Sequence, residues 1–224
     1  MQFSEYFPMW EKLTSAQQDK LLVESDTRTF YKGQIVHSGA RDSGSLFLVR
    51  SGRLRAYSIS DEGREVTMYR LFGRDICLFS ASCIMRSIQF DMNIEAERDT
   101  NVWLIPAQAY KSVMEESAPL ANYTNEIMAS RFSEVMWLMD MVMWKSLDRR
   151  LAAFLLEEYV LEDTMRLKIT HEIIGNHIGT AREVVTRLLR YFQDEGMVRL
   201  SRGAVELTDV DRLRTIAVER EVRK

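Results

Sequence analysis

The sequence predicts an α+β chain: an N-terminal antiparallel β-roll of jelly-roll type, then one long helix, then a winged helix-turn-helix. Three observations carry that prediction. Between Phe30 and Ile105 short apolar runs alternate with glycine turns, and from Leu120 to Ser146 there is neither proline nor glycine. Further on, "HEIIGNHIGTAREVVTRLLR" sets Gly175, Gly179 and Val185 at the spacing of two helices joined by a tight turn. A composition of 46% hydrophobic and 28% charged residues over 224 positions describes a folded chain with one or two cores, not a disordered or fibrous one. The expected division is residues 1–118 for the β-roll, 119–146 for the long helix and 147–224 for the winged module.

The β-roll is read from "LFLVRSGRLRAYSISDEGREVTMYRLFGRD". Leu46 to Arg50, Leu54 to Ser60 and Glu65 to Leu71 are strands, divided by turns at Ser51-Gly52 and Asp61-Glu62-Gly63. "QFDMNIEAE" alternates Phe90, Met92, Ile94 and Ala96, and "NVWLI" adds another strand. About eight short strands with Gly33, Gly39, Gly52, Gly63 and Gly73 at turns fit a sandwich or jelly roll.

After Pro106 the period changes. "PAQAYKSVMEES" predicts a short helix closed by Pro119. Along the next helix Met128, Phe132, Val135, Met139 and Val142 recur at spacings of 4, 3, 4 and 3, a heptad seam. Ile127, Trp137, Leu138, Met141 and Trp144 lie outside that seam, so the helix needs two apolar partners. One is its own β domain; the other is the same helix of a second subunit, which makes those five seam residues the expected dimerisation set. A helix buried within a monomer is the competing reading. "VMWLMDMVMW" is interrupted by Asp140 and is about half the roughly 20 residues a membrane helix needs, so no membrane span is expected. The N-terminus "MQFSEYFPMWEKL" lacks a basic start and a small-residue cleavage site, which predicts a cytoplasmic protein without a secretory signal.

"LDRRLAAFLLEEYVLE" predicts a further helix from Leu147 to Glu162. In the segment that follows, Gly175 must be small because two helices touch there. Gly179 is the turn, and Val185 with Ile174, Ile178 and Leu188 makes a small core. Thr170 stands at the N-cap, and "EGMVRLSRGAVELT" reads as two strands around Ser201-Arg202-Gly203, a β wing. Burying Val185, Leu188, Leu189 and Phe192 turns Arg182, Glu183, Thr186, Arg187 and Arg190 outward. Those residue types read a major groove: arginine bonds two guanine acceptors, glutamate accepts from the cytosine amino group, and threonine reaches a base edge or a phosphate. The chain has a net charge of −3, yet Gly179 to Arg202 holds five arginines against Glu183, Asp194 and Glu195. A local basic face on an acidic chain points to a local anionic partner, double-stranded DNA. A bare surface pair between Glu183 and Arg187 is the competing reading, worth only a few tenths of a kcal/mol.

A glycine-punctuated β-roll, a long apolar helix and a C-terminal winged helix, in that order, resemble the Crp/Fnr family of bacterial transcription regulators over nearly the whole chain. The most specific pieces are "ITHEIIGNHIGTAREVVTRLLRYFQDEGMV" and the turns ending at Gly73-Arg74-Asp75. The resemblance implies a cyclic-nucleotide-binding-like sensor, a homodimer, a palindromic operator, RNA polymerase as partner and an effector bound in the β-roll. By that resemblance Arg182, Glu183 and Arg187 match the groove-reading positions of the cyclic AMP receptor branch. Glu183, Thr186 and Arg187 resemble the Glu, Ser-Arg pattern of the oxygen-sensing branch. Thr170 and His171 match positions that meet phosphate, and Thr180, Arg190 and Arg202 complete the DNA-binding set. Ala181 departs from the serine common there.

The effector is unassigned by the sequence. The cyclic AMP branch grips its ligand with a Gly-Glu pair and an Arg-Ser pair. Here the corresponding stretch has no Gly-Glu, and Phe90 and Asp91 occupy the Arg-Ser positions while Arg86-Ser87 comes about four residues early. Asp91 carries the wrong charge for a phosphate, so cyclic AMP is not expected. Residues 1–30 contain no cysteine, so an iron-sulfur cluster held there is not expected either. Haem stays open through Cys77, His37 and the nearby methionines, as does a Cys77 to Cys83 redox switch, which would make the chain a gas or redox sensor of the same family. No structural zinc site or other metal is read from two cysteines without a CxxC, and three histidines are too few for a cupin-like enzyme. No nucleophile elbow, P-loop or HExxH is present. A regulatory protein that acts through protein contacts is the remaining alternative.

Overall fold

The computed structural model describes residues 2–38, 44–78 and 92–218. The turn expected at Gly39, and Cys83, Arg86, Ser87, Phe90 and Asp91, lie outside the described residues. The chain divides into two compact units, Met1–Ser58 with Met68–Val135, and Ile59–Thr67 with Met136–Lys224.

The first unit opens with helical segments that the sequence reading missed: α1 (Phe3–Tyr6), a 3₁₀ turn at Trp10–Lys12 and α2 (Ser15–Glu24). The signal for α2 was present, since Thr14 and Gln17 form a capping box in which each side chain takes the other's backbone N–H. Then come β1 (Asp26–Phe30), β2 (Ile35–Ser38), β3 (Ser45–Ser51), β4 (Leu54–Ile59), β5 (Glu65–Leu71), β6 (Ile76–Cys77), β7 (Asn93–Ala96) and β8 (Thr100–Pro106). They form two four-stranded sheets, in the orders β1-β8-β3-β6 and β2-β7-β4-β5.

Strand β3 shows why "LFLV" is apolar without alternation. Successive side chains point to opposite faces of a sheet. Phe47 and Val49 enter the core with Leu54, Ala56, Leu71, Ile94 and Val102. Leu46 and Leu48 enter a second core with Phe3, Phe7, Leu21, Ile105, Tyr110 and Leu120, so the N-terminal helices cover the outer face of the sheet. Gly52 turns between β3 and β4 at φ +95, and a Cβ there would stand 2.4 Å from the Asp99 carbonyl oxygen. At Gly73-Arg74 the left-handed residue is Arg74 (φ 77), not the glycine.

After α3 (Ala107–Glu116) comes α4 (Ala118–Trp144). Pro119 does not close the short helix as expected; it sits in the first turn of α4, where its missing N–H costs no helical bond. Tyr110 and Thr124 share a buried 2.8 Å hydrogen bond that ties α3 to α4. Arg131 is buried, 2.8 Å from Glu134, 3.5 Å from Asp75 and above the Tyr69 ring. Burial alone would depress its pKa, but Glu134 and then Asp75 hold it above the ordinary arginine value. Of the seam, Met128 and Val135 are partly buried while Phe132, Met139 and Val142 are exposed. Trp137, Met143 and Trp144 are exposed too, so the open apolar surface is wider than a two-residue heptad seam. No helix among the described residues is long and apolar enough to cross a membrane.

The second unit holds α5 (Leu147–Glu162), β9 (Arg166–Leu167), α6 (His171–Ile178), α7 (Arg182–Asp194), β10 (Val198–Ser201), β11 (Ala204–Leu207) and α8 (Val210–Val218). Its core joins Leu151 and Leu155 of α5, Ile174 and Ile178 of α6, Val185, Leu189 and Phe192 of α7, and Leu213 of α8. Sequence reading missed two of these elements. Strand β9, two residues long, pairs with β11 and makes the wing a three-stranded sheet, and α8 covers α5.

Candidate nucleic-acid interface

Two glycines set the angle of α6 to α7. A Cβ at Gly175 would lie 2.7 Å from the Thr180 carbonyl oxygen, which is why this position must be glycine. Gly179 ends α6 in the left-handed conformation (φ 69, ψ 44), and the next residue's N–H returns 3.0 Å to the Gly175 carbonyl. The Thr170 hydroxyl accepts the Ile173 N–H at 3.2 Å and caps the start of α6. At the other end, the Arg150 guanidinium donates to the Ile178 carbonyl. Burial lowers the Arg150 pKa.

Among the described helices, α7 has the strongest two-faced character. Val185, Leu189 and Phe192 are fully buried, Leu188 packs against them, and Arg182, Glu183, Arg187 and Arg190 are exposed. Among the described residues none of these four makes an ion pair, so the i,i+4 pair of Glu183 and Arg187, the competing reading, does not form. The row is left open to a partner. Glu183 lies in the first turn, where the helix dipole favours a carboxylate. Ala181 stands at the N-cap of α7 without a side-chain cap.

Thr186 is partly buried and held at both ends. Its hydroxyl lies 2.9 Å from the Arg182 carbonyl and 2.9 Å from Nδ1 of His171. Burial lowers the His171 pKa below its ordinary 6.5, and the charges of Arg182 and Arg190 lower it further. Thr180 is half-buried at the turn, with its backbone engaged by Gly175. Arg202 is exposed at the tip of the wing beside Gly203 (φ 71). Arg199 lies on β10 and reaches 3.3 Å across to Glu206 on β11. His177 does not join the exposed row; it is buried, stacked on Phe154 at 5.0 Å.

Of the sensor candidates, Cys77 is a buried thiol between the sheets, in the core with Phe47 and Tyr69. Burial raises the Tyr69 pKa, and Cys77 adds to the rise. His37 is also buried, on β2. Among the described residues no three His, Cys, Asp or Glu side chains are grouped to hold a metal ion. Arg131 is the residue of this region that the sequence reading passed over. The signal was the only basic residue of α4, set three residues before Glu134.

Comparison with known proteins places both units. Residues 27–117 match the family described as a cyclic nucleotide-binding domain, and residues 149–216 match the Crp-like helix-turn-helix domain. A crystal structure described as a transcriptional regulator of the crp/fnr family from Eubacterium rectale ATCC 33656 is 58% identical, with a TM-score of 0.92, over 96% of this chain and all of that one. The transcriptional activator protein anr of Pseudomonas aeruginosa is 26% identical over 81% of this chain and 76% of its own length. The fumarate and nitrate reduction regulatory protein of Escherichia coli K12 is 27% identical over 83% of this chain and 76% of its own length.

Proposed function

The chain belongs to the Crp/Fnr family of DNA-binding transcription regulators, and from that premise we propose how its residues read an operator. Arg182, Glu183 and Arg187 address base edges in the major groove, with Thr186 beside them. Thr170, His171, Thr180, Arg190 and Arg202 meet the phosphates on either side. One observation supports this assignment above the others: α7 presents four exposed charged residues on one face, unpaired among the described residues, opposite a fully buried apolar face. A carboxylate among phosphate-seeking arginines is costly unless it faces a base amino group.

The working form is a homodimer joined along Met128, Phe132, Val135, Met139 and Val142, which presents two copies of α7 to successive major grooves of a palindromic site. The effector is a ligand or redox change sensed in the β-roll. The absence of a Gly-Glu pair and the acid at Asp91 argue against cyclic AMP, and the cysteine-free first 30 residues argue against a cluster held there. Haem at Cys77 or His37 would need ligands that are both buried among core side chains. Cytoplasmic RNA polymerase is the partner that turns operator binding into regulation. The matched relatives are transcription regulators and not enzymes.

The test is a duplex-binding titration at several salt concentrations. Arg187→Ala is expected to lose at least about tenfold in affinity for the operator with little change for random DNA. Arg190→Ala is expected to weaken both alike and to flatten the salt slope by about one. Sequence preference retained in Arg187→Ala would overturn the assignment.

A further inference from the structure

We infer that His171 is a specificity-positioning residue: by donating its Nδ1–H to Thr186 it fixes the hydroxyl as an acceptor toward DNA. The inference rests on the proposed groove-reading row, and takes Thr186, placed beside that row, to face a base edge. The geometry is a chain of two short contacts. Thr186 Oγ1 lies 2.9 Å from the Arg182 carbonyl oxygen one turn back and 2.9 Å from Nδ1 of His171 on the neighbouring helix.

A hydroxyl has one proton and two lone pairs. A carbonyl oxygen can only accept, so the threonine proton must point to Arg182; otherwise two oxygens would face each other at 2.9 Å with nothing between them. With that proton committed, Oγ1 can only accept from His171, and Nδ1 must carry a hydrogen. The link therefore assigns the tautomer of the ring. It holds in both the neutral and the charged form, because both carry the Nδ1 hydrogen.

One lone pair of Oγ1 remains for the groove, beside the threonine methyl. That pair can take an amino hydrogen from adenine or cytosine, but nothing is left to donate to O6 or N7 of guanine. A free threonine would bond to either kind of edge. His171 thus converts a permissive reader into a selective one, and guanine opposite residue 186 leaves two acceptors face to face, an unpaired buried contact.

The experiment selects binding sites for the full chain from a randomised duplex pool and then titrates the base pair that Thr186→Val identifies. In the wild type, an adenine or cytosine at that position is expected to bind about tenfold more tightly than guanine. His171→Phe keeps the ring and removes the donor, so the discrimination should fall to near unity at that base pair alone. His171→Asn places an amide N–H where Nδ1 was and should restore it. Long-range ¹H–¹⁵N spectra of the wild type should show the ring protonated at Nδ1. His171→Phe also loses the proposed phosphate contact, so some affinity is lost on every sequence; discrimination left unchanged beneath that uniform loss, or an Nε2–H tautomer, would each overturn the proposal. If Thr186→Val alters no base preference, the base-reading role of Thr186 falls first and the proposal with it. Thermal unfolding midpoints near that of the wild type confirm that the variants are compared in the folded state.

Discussion

Gly175 governs the helix-turn-helix at the scale of single atoms, because the Thr180 carbonyl already occupies the space a methyl would need. Gly175→Ala is expected to cost about 2 kcal/mol, the range for overpacking a tight contact, and to lower the unfolding midpoint measured by circular dichroism. His171 acts in a different way, through charge. Its pKa lies below 6.5 in the folded chain, with burial first and then Arg182 and Arg190 as the causes, while Glu172 is the acid next to it on its own helix. The unfolded chain takes up a proton at this ring before the folded chain does. Its contribution to stability is therefore complete above about pH 6.5 and is lost as pH falls through the folded pKa. Phosphate reverses the preference and favours the cation, so operator affinity should rise as pH falls from about 7.5 to 6. His171→Asn should flatten that rise; an equal rise in the variant would remove His171 from the phosphate contact.

At the scale of elements, α4 does two jobs with two faces. Arg131, Thr124 and Leu120 bind it to its own β domain. Phe132, Met139 and Val142 leave an exposed apolar stripe of the kind that marks a docking surface. Val135→Glu with Met139→Glu is expected to shift the sedimentation mass toward the monomer and weaken operator binding in step; an unchanged mass would remove the seam from the interface. Legibility in the sequence varied with the physics of each element. Helix α5 was readable to the residue, because "LDRRLAAFLLEEYVLE" holds no proline or glycine and Ser146 stands before it. The glycines of the helix-turn-helix were readable because each answers a steric demand. Strand β9 was not, since two residues carry no period and exist only through pairing with β11. The role of Thr186 was half-legible: its outward placement follows from helical spacing, but the His171 contact joins residues 15 positions apart through tertiary geometry. Pro119 misled because a proline that ends one helix can equally begin the next.

At the scale of the whole molecule, the proposed dimer would present its two α7 helices to half-sites about 34 Å apart, one turn of the duplex. Inserting about five base pairs between the half-sites puts them on opposite faces of the DNA, and affinity should fall to that of a single half-site; ten inserted pairs should restore part of it. Gel-shift titration of the three duplexes checks this, and indifference to spacing would rule out simultaneous reading. Strand β9, only two residues long, bears on how such a grip would be felt. Because Leu167 and Arg166 pair with Val205 and Glu206, the wing is laced to the chain only three residues before the Thr170 cap. On the proposed reading, with Arg202 on a phosphate, a pull on the wing tip would reach the segment that leads into α6. A duplex bound that way would hold the wing by a strand tied to the lead-in of α6, not by a free-standing hairpin.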